Sequence, residues 1–289
     1  MIMNKKIIYL SFICAAAIFS GCSDTEDPVI KLDSRYLENV YGPAPEFEIL
    51  VDPPKNVLFE EFTGHKCGFC PPATAMVKQW DAELGERLVP VTIHAGTLAA
   101  VGSEPFERDF TNPDGNTYWA QVEGGFNPSG RVNRVTGVQN AYPDAFWRDM
   151  IDEEMAKNPE VAVQMVTSYV QEDGIVNVHA HAQFLSNLTG NYDIVVLLTE
   201  SKIISAQEDY SQEPSEIIDY EHNHVLHDAI TPAAGLPLAS NPRGNDTFVK
   251  SFSYELNSNW NPEHCHIVAF VINRSTGEVL NVVEKDVVQ

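Results

Sequence analysis

The fold prediction begins with residues 57–72, which read VLFEEFTGHKCGFCPP. The first six residues form a mostly apolar run typical of a buried strand. A Cys-x-x-Cys motif follows at Cys67 and Cys70, and the next segment carries apolar side chains at helical spacing, namely Met76, Val77, Trp80 and Leu84. Leu88–His94 is a second strand candidate. A strand, a cysteine pair at a helix start, a helix and a strand predict the opening of an α/β domain.

The cysteine spacing suits thiol–disulfide chemistry. Cys67 and Cys70 lie three positions apart on the first helical turn, so their sulfur atoms can meet in a disulfide. The N-terminus of a helix favours a thiolate and lowers the pKa of the first cysteine. Lys66, and His65 when protonated, add positive charge beside it. We therefore predict that Cys67 is the exposed attacking thiol and that Cys70 is the resolving thiol.

The order of these elements resembles that of thioredoxins, and two further positions match. Glu61 lies six residues before Cys67, where thioredoxins place a buried acid, usually Asp, that helps proton transfer. Pro128 precedes a strand candidate at residues 131–135, where thioredoxins carry a cis-proline against the disulfide. The resemblance implies an α/β thioredoxin-like domain in which Cys67, Cys70, Glu61 and Pro128 are catalytic residues.

Two other interpretations of the cysteine pair stay open. The pair could be a structural disulfide, since disulfides persist in oxidising compartments. It could also be half of a zinc site, but zinc takes about four ligands and the sequence has no second Cys-x-x-Cys motif.

The N-terminus predicts an exported lipoprotein. Lys5 and Lys6 precede an apolar run at residues 7–19 that is too short to span a bilayer, so residues 1–21 are interpreted as a signal peptide. The small residues before Cys22 resemble a bacterial lipobox. That resemblance implies an acylated Cys22, which would hold the mature protein to a membrane. The alternative is a secreted protein that is cleaved nearby.

Acidic residues dominate the chain. The formal net charge is −23, which repels phosphate backbones and argues against nucleic acid as a partner. Residues 22–55 are interpreted as an acidic, proline-containing tether. The acids directly after Cys22 resemble the surface-export signal of some Gram-negative lipoproteins. The alternative is a solvated linker that holds the protein off the membrane.

The second half of the chain changes to a period of two. We assign residues 56–158 to the thioredoxin-like domain and residues 159–289 to an all-β immunoglobulin-like sandwich. Its strand candidates are residues 161–170, 175–184, 192–199, 247–256, 264–273 and 278–283. Cys265 lies in one of these strands and is predicted to be an inert buried thiol.

Three histidines follow an acidic segment. His222, His224 and His227 lie within six residues, after six acids between Glu208 and Glu221. Imidazoles with nearby carboxylates are plausible ligands for zinc or another divalent metal. A hydrogen-bonded turn beside a solvated acidic loop is the favoured interpretation, because no established metal-ligand spacing is present. The histidines are therefore only weak metal candidates.

Several stretches together resemble the lipoproteins related to outer membrane protein 28. They are residues 60–71, 94–96, 199–200, 220–226 and 268–280, in the same order as in that family. The resemblance covers roughly residues 55–289. It implies an outer membrane lipoprotein of a Gram-negative bacterium, with a thioredoxin-like domain and a C-terminal β domain. The sequence departs from the family at His227, where Arg is common.

Two functions follow from these features. The first is thiol–disulfide exchange by Cys67 and Cys70 on a platform anchored to the membrane through Cys22, with protein thiols or disulfides as partners and no cofactor. The second is a surface-exposed binding or adhesion lipoprotein in which the cysteine pair is a structural disulfide. The family resemblance supports the fold and the location more than either function.

Overall fold

The computed structural model describes residues 35–289. The predicted signal peptide, Cys22 and residues 23–34 lie outside the described residues. The described chain is mostly β-structure, with four α-helices: α1 Glu38–Tyr41, α2 Cys70–Leu84, α3 Pro113–Gln121 and α4 Trp147–Met155. None of these helices is long and apolar enough to cross a membrane.

Strands account for most of the regular secondary structure. In chain order they are β1 Val57–Thr63, β2 Leu88–His94, β3 Ser129–Val132, β4 Val161–Val170, β5 Ile175–Phe184, β6 Asn191–Glu200, β7 Ile203–Glu208, β8 Glu216–His222, β9 Val225–Ala229, β10 Leu236–Ser240, β11 Thr247–Glu255, β12 Cys265–Asn273 and β13 Val279–Asp286. The six strand candidates of the second half appear as β4, β5, β6, β11, β12 and β13.

One mixed sheet of eight strands crosses the molecule. Its order is β13-β12-β6-β9-β2-β1-β3, and β10 also pairs with β6. β1 and β2 are parallel, whereas β3 is antiparallel to β1. The junction between the two halves of the chain is the parallel bridge of β2 and β9, which pairs Thr92 with Val225.

This sheet corrects the predicted fold class. The prediction of an α/β thioredoxin-like domain followed by an all-β immunoglobulin-like sandwich is wrong, because strands from both sides of residue 158 share one sheet. The reason is apolar burial. β1 and β2 are buried on both faces, and one face continues into the later strands, where Leu58, Phe62 and Val91 belong to the same core cluster as Leu197 and Phe270.

Different elements pack on the two faces of the large sheet. A three-stranded sheet, β11-β5-β4, packs through Val178 and Ala180 against Ile194 and Ala269 of the large sheet. α2 and α4 cover the face of β1 that carries Phe59, and Trp147 of α4 contacts that ring with centroids 4.9 Å apart. Pro71 and Pro72 follow Cys70 in the first turn of α2. Backbone N–H groups there have no acceptor within the helix, so the N–H that proline lacks is not missed.

The described part of the predicted tether packs against the protein. We call residues 35–55 the strap. Its Tyr36 ring contacts His179 at 4.7 Å, and its Phe47 ring stacks on His181 at 4.8 Å. The backbone N–H of Leu50 donates to Gln183 Oε1 at 2.9 Å. The strap therefore follows the three-stranded sheet and is not a free linker.

Candidate functional site

The cysteine pair forms a disulfide at the start of α2. Cys67 and Cys70 are bonded, with their Cα atoms 5.3 Å apart. Cys70 is the first residue of the helix, and its backbone N–H donates to the carbonyl of Cys67 at 3.0 Å. The predicted pairing is thus present. Cys265 is buried, as predicted, and burial raises the pKa of its thiol to about 12.

Both bonded cysteines are buried, so the prediction that Cys67 is exposed is wrong. Cys67 is 2% exposed and Cys70 is 1% exposed. The cause is the hairpin of β7 and β8, residues 203–222. It lies on the loop between β1 and α2, residues 64–69, which we call the cysteine loop. The backbone N–H of Glu208 donates to the carbonyl of His65 at 2.8 Å. The side-chain amide of Gln207 donates to the carbonyl of Cys67 at 3.2 Å.

The tip of the hairpin fits the loop closely at Gly68. The backbone N–H of Tyr210 donates to the carbonyl of Gly68 at 2.8 Å. A Cβ atom at Gly68 would lie 2.5 Å from the Tyr210 ring, so only glycine fits here. Phe69 meets the same ring edge-on, with centroids 5.1 Å apart, and both aromatic side chains remain exposed on their outer surface.

Glu61 is a buried acid below the first turns of α2. It accepts a 2.6 Å hydrogen bond from the hydroxyl of Thr74, which lies one helical turn after Cys70. Its other oxygen, Oε2, has no hydrogen-bond partner within residues 35–289. Burial raises the pKa of Glu61 to about 7, and the lowering effects of Thr74 and His224 are smaller. Glu61 can therefore exchange a proton near neutral pH.

Glu60, its neighbour in the chain, stabilises the fold instead. It lies in a buried ion cluster, with Arg131 Nη2 at 3.0 Å and Arg134 Nη2 at 2.6 Å. Burial disfavours its ionised form, but the two guanidinium groups lower the pKa of Glu60 to about 2. Glu60 is thus ionised at neutral pH and holds β3 and the turn after it to β1.

Pro128 directly precedes β3 in the chain and lies beside the end of β1, because Ser129 pairs with Phe62. The peptide bond between Asn127 and Pro128 is cis. The side-chain amide of Asn127 donates to the carbonyls of Thr63 and Ala95, each at 3.1 Å. These bonds fix the segment before β3 to the ends of β1 and β2, near the loop that carries the cysteines.

The three predicted metal candidates point to different places. His222 is buried against Phe110, with ring centroids 4.6 Å apart, and burial lowers its pKa to about 4. His227 Nε2 lies 2.6 Å from Glu200 and its ring stacks on Trp260 at 4.4 Å. Among the residues that the structure describes, no group of three or more His, Cys, Asp or Glu side chains could hold a metal ion.

His224 is the histidine that faces the region of the cysteine helix. Its Nε2 lies 3.5 Å from Asp81 of α2, and its Nδ1 lies 3.9 Å from Glu284. Burial opposes the charged form, but the two carboxylates raise the pKa of His224 to about 9. His224 is therefore an imidazolium at neutral pH.

A cavity of about 590 Å³ lies between α2 and the β7–β8 hairpin. Its walls include Pro71 and Thr74 from the first turns of α2 and Tyr220 from β8. Glu61, Lys78, Asp81, Asp209, Glu221 and His224 supply its charged side chains. The cavity therefore adjoins the disulfide-bearing turn and the buried acid.

Thr74, Gln207 and Tyr210 carry no sequence signal that predicts their place beside the cysteines. The sequence indicates an acidic segment at residues 208–221 and assigns no element to residues 203–207, so no strands were available to place over the cysteines. The apolar residues Ile203 and Ala206 were a usable strand signal.

A comparison with protein-family models identifies the family. A model of the family described as "Outer membrane protein Omp28" matches residues 116–289. No curated protein matches the chain.

Two solved structures share its fold. HBP35 of Porphyromonas gingivalis is 14% identical, with a TM-score of 0.62 over 81% of this chain and 75% of that one. Protein AGR_C_4864 from Agrobacterium tumefaciens is 14% identical, with a TM-score of 0.52 over 82% and 96%. A domain of the outer membrane lipoprotein Omp28 from P. gingivalis is 18% identical, with a TM-score of 0.31 over 46% and 91%.

Proposed function

The chain belongs to the family of outer membrane protein Omp28. From this premise we propose that it is an outer membrane lipoprotein that performs thiol–disulfide exchange through Cys67 and Cys70. The family match begins at residue 116, after the cysteine motif. The proposal therefore depends on the geometry around the disulfide. The observation that supports it most is the buried Glu61. This acid accepts a hydrogen bond from Thr74, which lies one turn of α2 after Cys70.

The exchange proceeds in two balanced steps. The Cys67 thiolate attacks one sulfur of a substrate disulfide, forms a mixed disulfide and releases the first substrate thiolate. The Cys70 thiolate then attacks the Cys67 sulfur, which releases the second substrate thiolate and leaves the protein oxidised. Glu61 accepts the proton of the Cys70 thiol, and its pKa of about 7 suits that role. The N-terminus of α2 stabilises the thiolate.

The hairpin sets the condition for this chemistry. Because Cys67 and Cys70 are buried under the β7–β8 hairpin, a substrate sulfur reaches them only after the hairpin moves. The contacts to be broken are the hydrogen bonds from Gln207, Glu208 and Tyr210 to the cysteine loop. Exchange is therefore gated by the opening of one element.

The test is trapping of the mixed disulfide. Cys70→Ser removes the resolving thiol, so a disulfide-bonded peptide should stay attached to Cys67 and be seen by intact mass spectrometry. Cys67→Ser is the matched control, since it keeps one thiol at the same helix start, and should trap far less. Absence of any adduct on Cys70→Ser, also when the Tyr210→Ser change loosens the hairpin, would disprove exchange.

Burial of the disulfide favours a second candidate function, a surface binding or adhesion lipoprotein with a structural disulfide. Both sulfur atoms lie under the hairpin, as in a crosslink that only fixes the start of α2. The reduction potential separates the two. A value below about −300 mV is typical of structural disulfides, and a higher value is typical of exchange. The measurement equilibrates the protein with glutathione or dithiothreitol buffers and counts free thiols.

We also propose Cys22 as the site of the lipid anchor. The lipobox-like residues before Cys22 support it. A Cys22→Ser variant should lose incorporation of labelled palmitate and leave the membrane fraction, whereas Cys265→Ser should behave as the unchanged protein. Protease accessibility on intact cells then decides which face of the membrane the body occupies.

A further inference from the structure

We infer that the cavity between α2 and the β7–β8 hairpin binds a lysine or arginine side chain of the polypeptide substrate. The inference rests on the proposed exchange function, because it names the class of polypeptide presented to Cys67 and Cys70. The cavity suits this role by position, since Pro71, directly after Cys70, lies in its wall.

The charges around the cavity leave two carboxylates uncompensated. Lys78 is paired with Glu221 at 3.1 Å, and His224 is paired with Asp81 at 3.5 Å. Glu61 and Asp209 form no ion pair with any base within the described range, residues 35–289. The charge of Asp209, together with the ionised fraction of Glu61, therefore makes the unpaired charge facing the cavity negative.

Glu61 supplies the strongest indication of a missing donor. It is 1% exposed, and its Oε2 atom finds no donor in the described part of the chain. A buried carboxylate oxygen without a donor is costly. A guanidinium or ammonium group in the cavity would supply both the donor and the opposite charge.

Asp209 lies at the hairpin side of the same cavity. Its Oδ1 atom accepts hydrogen bonds from the backbone N–H of Ser211 at 2.9 Å and from the Ser211 hydroxyl at 2.7 Å. Tyr220 lines the same cavity as both acids. Burial raises the pKa of Tyr220 to about 12, and the carboxylates of Glu61 and Asp209 both add to the increase.

The size and walls of the cavity select an organic cation. A volume of about 590 Å³ is within the range of small-ligand sites and far larger than a metal ion needs. Pro71, Pro72 and Val77 give the cavity an apolar wall against which the methylene stem of a lysine or arginine side chain packs.

The test measures binding without redox chemistry. Capped pentapeptides of sequence Ser-Gly-X-Gly-Ser, where X is arginine, citrulline or glutamate, are titrated calorimetrically into the full-length oxidised protein. Citrulline keeps the shape of arginine and removes the charge. We expect arginine to bind about tenfold tighter than citrulline, with the difference shrinking at high salt. Equal affinities for arginine and citrulline would overturn the inference.

Protein variants locate the site. Asp209→Asn keeps the acceptor for Ser211 and removes the charge, so it should abolish most of the preference for arginine. Asp219→Asn makes the same change at an exposed position of the same hairpin and should preserve the preference. If both variants keep the preference, the cavity is not the binding site.

The two proposals fail separately. A preference for arginine that depends on Asp209, together with no adduct on Cys70→Ser, would reject exchange and keep the cation site. Adduct formation on Cys70→Ser at equal rates with disulfide-bonded peptides that carry arginine, citrulline or glutamate would keep exchange and reject the cation site.

Discussion

Glu60 and Glu61 show how strongly the strand pleat separates two identical neighbours. Successive side chains of a strand point to opposite faces. Glu60 meets Arg131 and Arg134, and its pKa falls to about 2. Glu61 meets only the Thr74 hydroxyl as a hydrogen-bond donor in the described chain, and its pKa rises to about 7. One acid therefore holds the fold together, and the other is available for proton transfer.

Glu61 makes stability depend on pH in a defined window. Its pKa rises from 4.5 to about 7 on folding, so the folded state binds more protons between these values. The contribution of Glu61 to stability is thus largest at low pH and is lost as the pH rises towards 7. From pH 5.5 to pH 8, the unfolding free energy of the protein should fall about 2 kcal/mol more than that of Glu61→Gln.

Urea unfolding at the two pH values measures this difference. Glu83→Gln on the outer side of α2 is the matched control, and its pH dependence should parallel that of the unchanged protein. Parallel curves for Glu61→Gln and the unchanged protein would show that Glu61 does not titrate in this window.

Glu60→Gln should be strongly destabilising. The change leaves two buried guanidinium groups without their carboxylate, and breaking a buried ion pair costs about 3–5 kcal/mol. Glu83→Gln breaks the exposed pair with Arg148 and should cost about 1 kcal/mol or less. Chemical denaturation at pH 7 compares the two variants, and similar losses would contradict a dominant role for the buried cluster.

At the scale of elements, the β7–β8 hairpin controls access to the disulfide. Backbone hydrogen bonds and a few side chains hold its tip on the cysteine loop, where Tyr210 remains 58% exposed. Elements with few buried apolar contacts open locally more often than the core does. The hairpin is therefore the element whose opening limits reduction of the Cys67–Cys70 disulfide.

Weakening the tip of the hairpin should speed that reduction. Tyr210→Ser removes the ring from Gly68 and Phe69, and an aromatic contact of this kind contributes about 0.5–1.5 kcal/mol. We expect reduction by dithiothreitol, followed by alkylation and mass spectrometry, to be about threefold to tenfold faster. Ile218→Ala, on the exposed side of the same hairpin, should leave the rate unchanged. An unaltered rate in Tyr210→Ser would mean that another movement exposes the disulfide.

The elements themselves were largely predictable, because their signals are local. The Cys-x-x-Cys motif followed by Pro71 indicated the start of α2, and alternation indicated β4, β5 and β6 close to their observed bounds. The hairpin was missed because its second strand, Glu216–His222, carries three exposed acids and no regular alternation of buried and exposed residues. Burial of Cys67 follows from that hairpin, which lies about 140 residues later in the chain, so no local pattern could indicate it.

At the scale of the whole molecule, the large sheet makes the two halves depend on each other. Leu58, Phe62 and Val91 of the first half pack in one cluster with Leu197 and Phe270 of the second. The sequence could not show this, because β2 meets β9 at a single bridge between Thr92 and Val225. Pairing of distant strands leaves no periodicity of its own in the sequence.

Separating the halves should therefore prevent folding. A fragment of residues 56–158 would expose the apolar face that the later strands cover, so we expect it to lack a cooperative thermal transition and to aggregate. The intact chain should unfold in one transition. Circular dichroism and calorimetry of both make the comparison, and a soluble fragment with its own sharp transition would contradict the shared core.

The strap has a mechanical consequence. Any tension that reaches the body from the N-terminal side arrives first at residues 35–55, which adhere to the three-stranded sheet through a few ring contacts and hydrogen bonds. Such a ribbon peels off one contact at a time, at lower force than is needed to shear a whole sheet. Complete peeling would release roughly 70 Å of extended chain. The N-terminal segment of the protein would thus extend under load while the disulfide, the hairpin and the cavity stay intact.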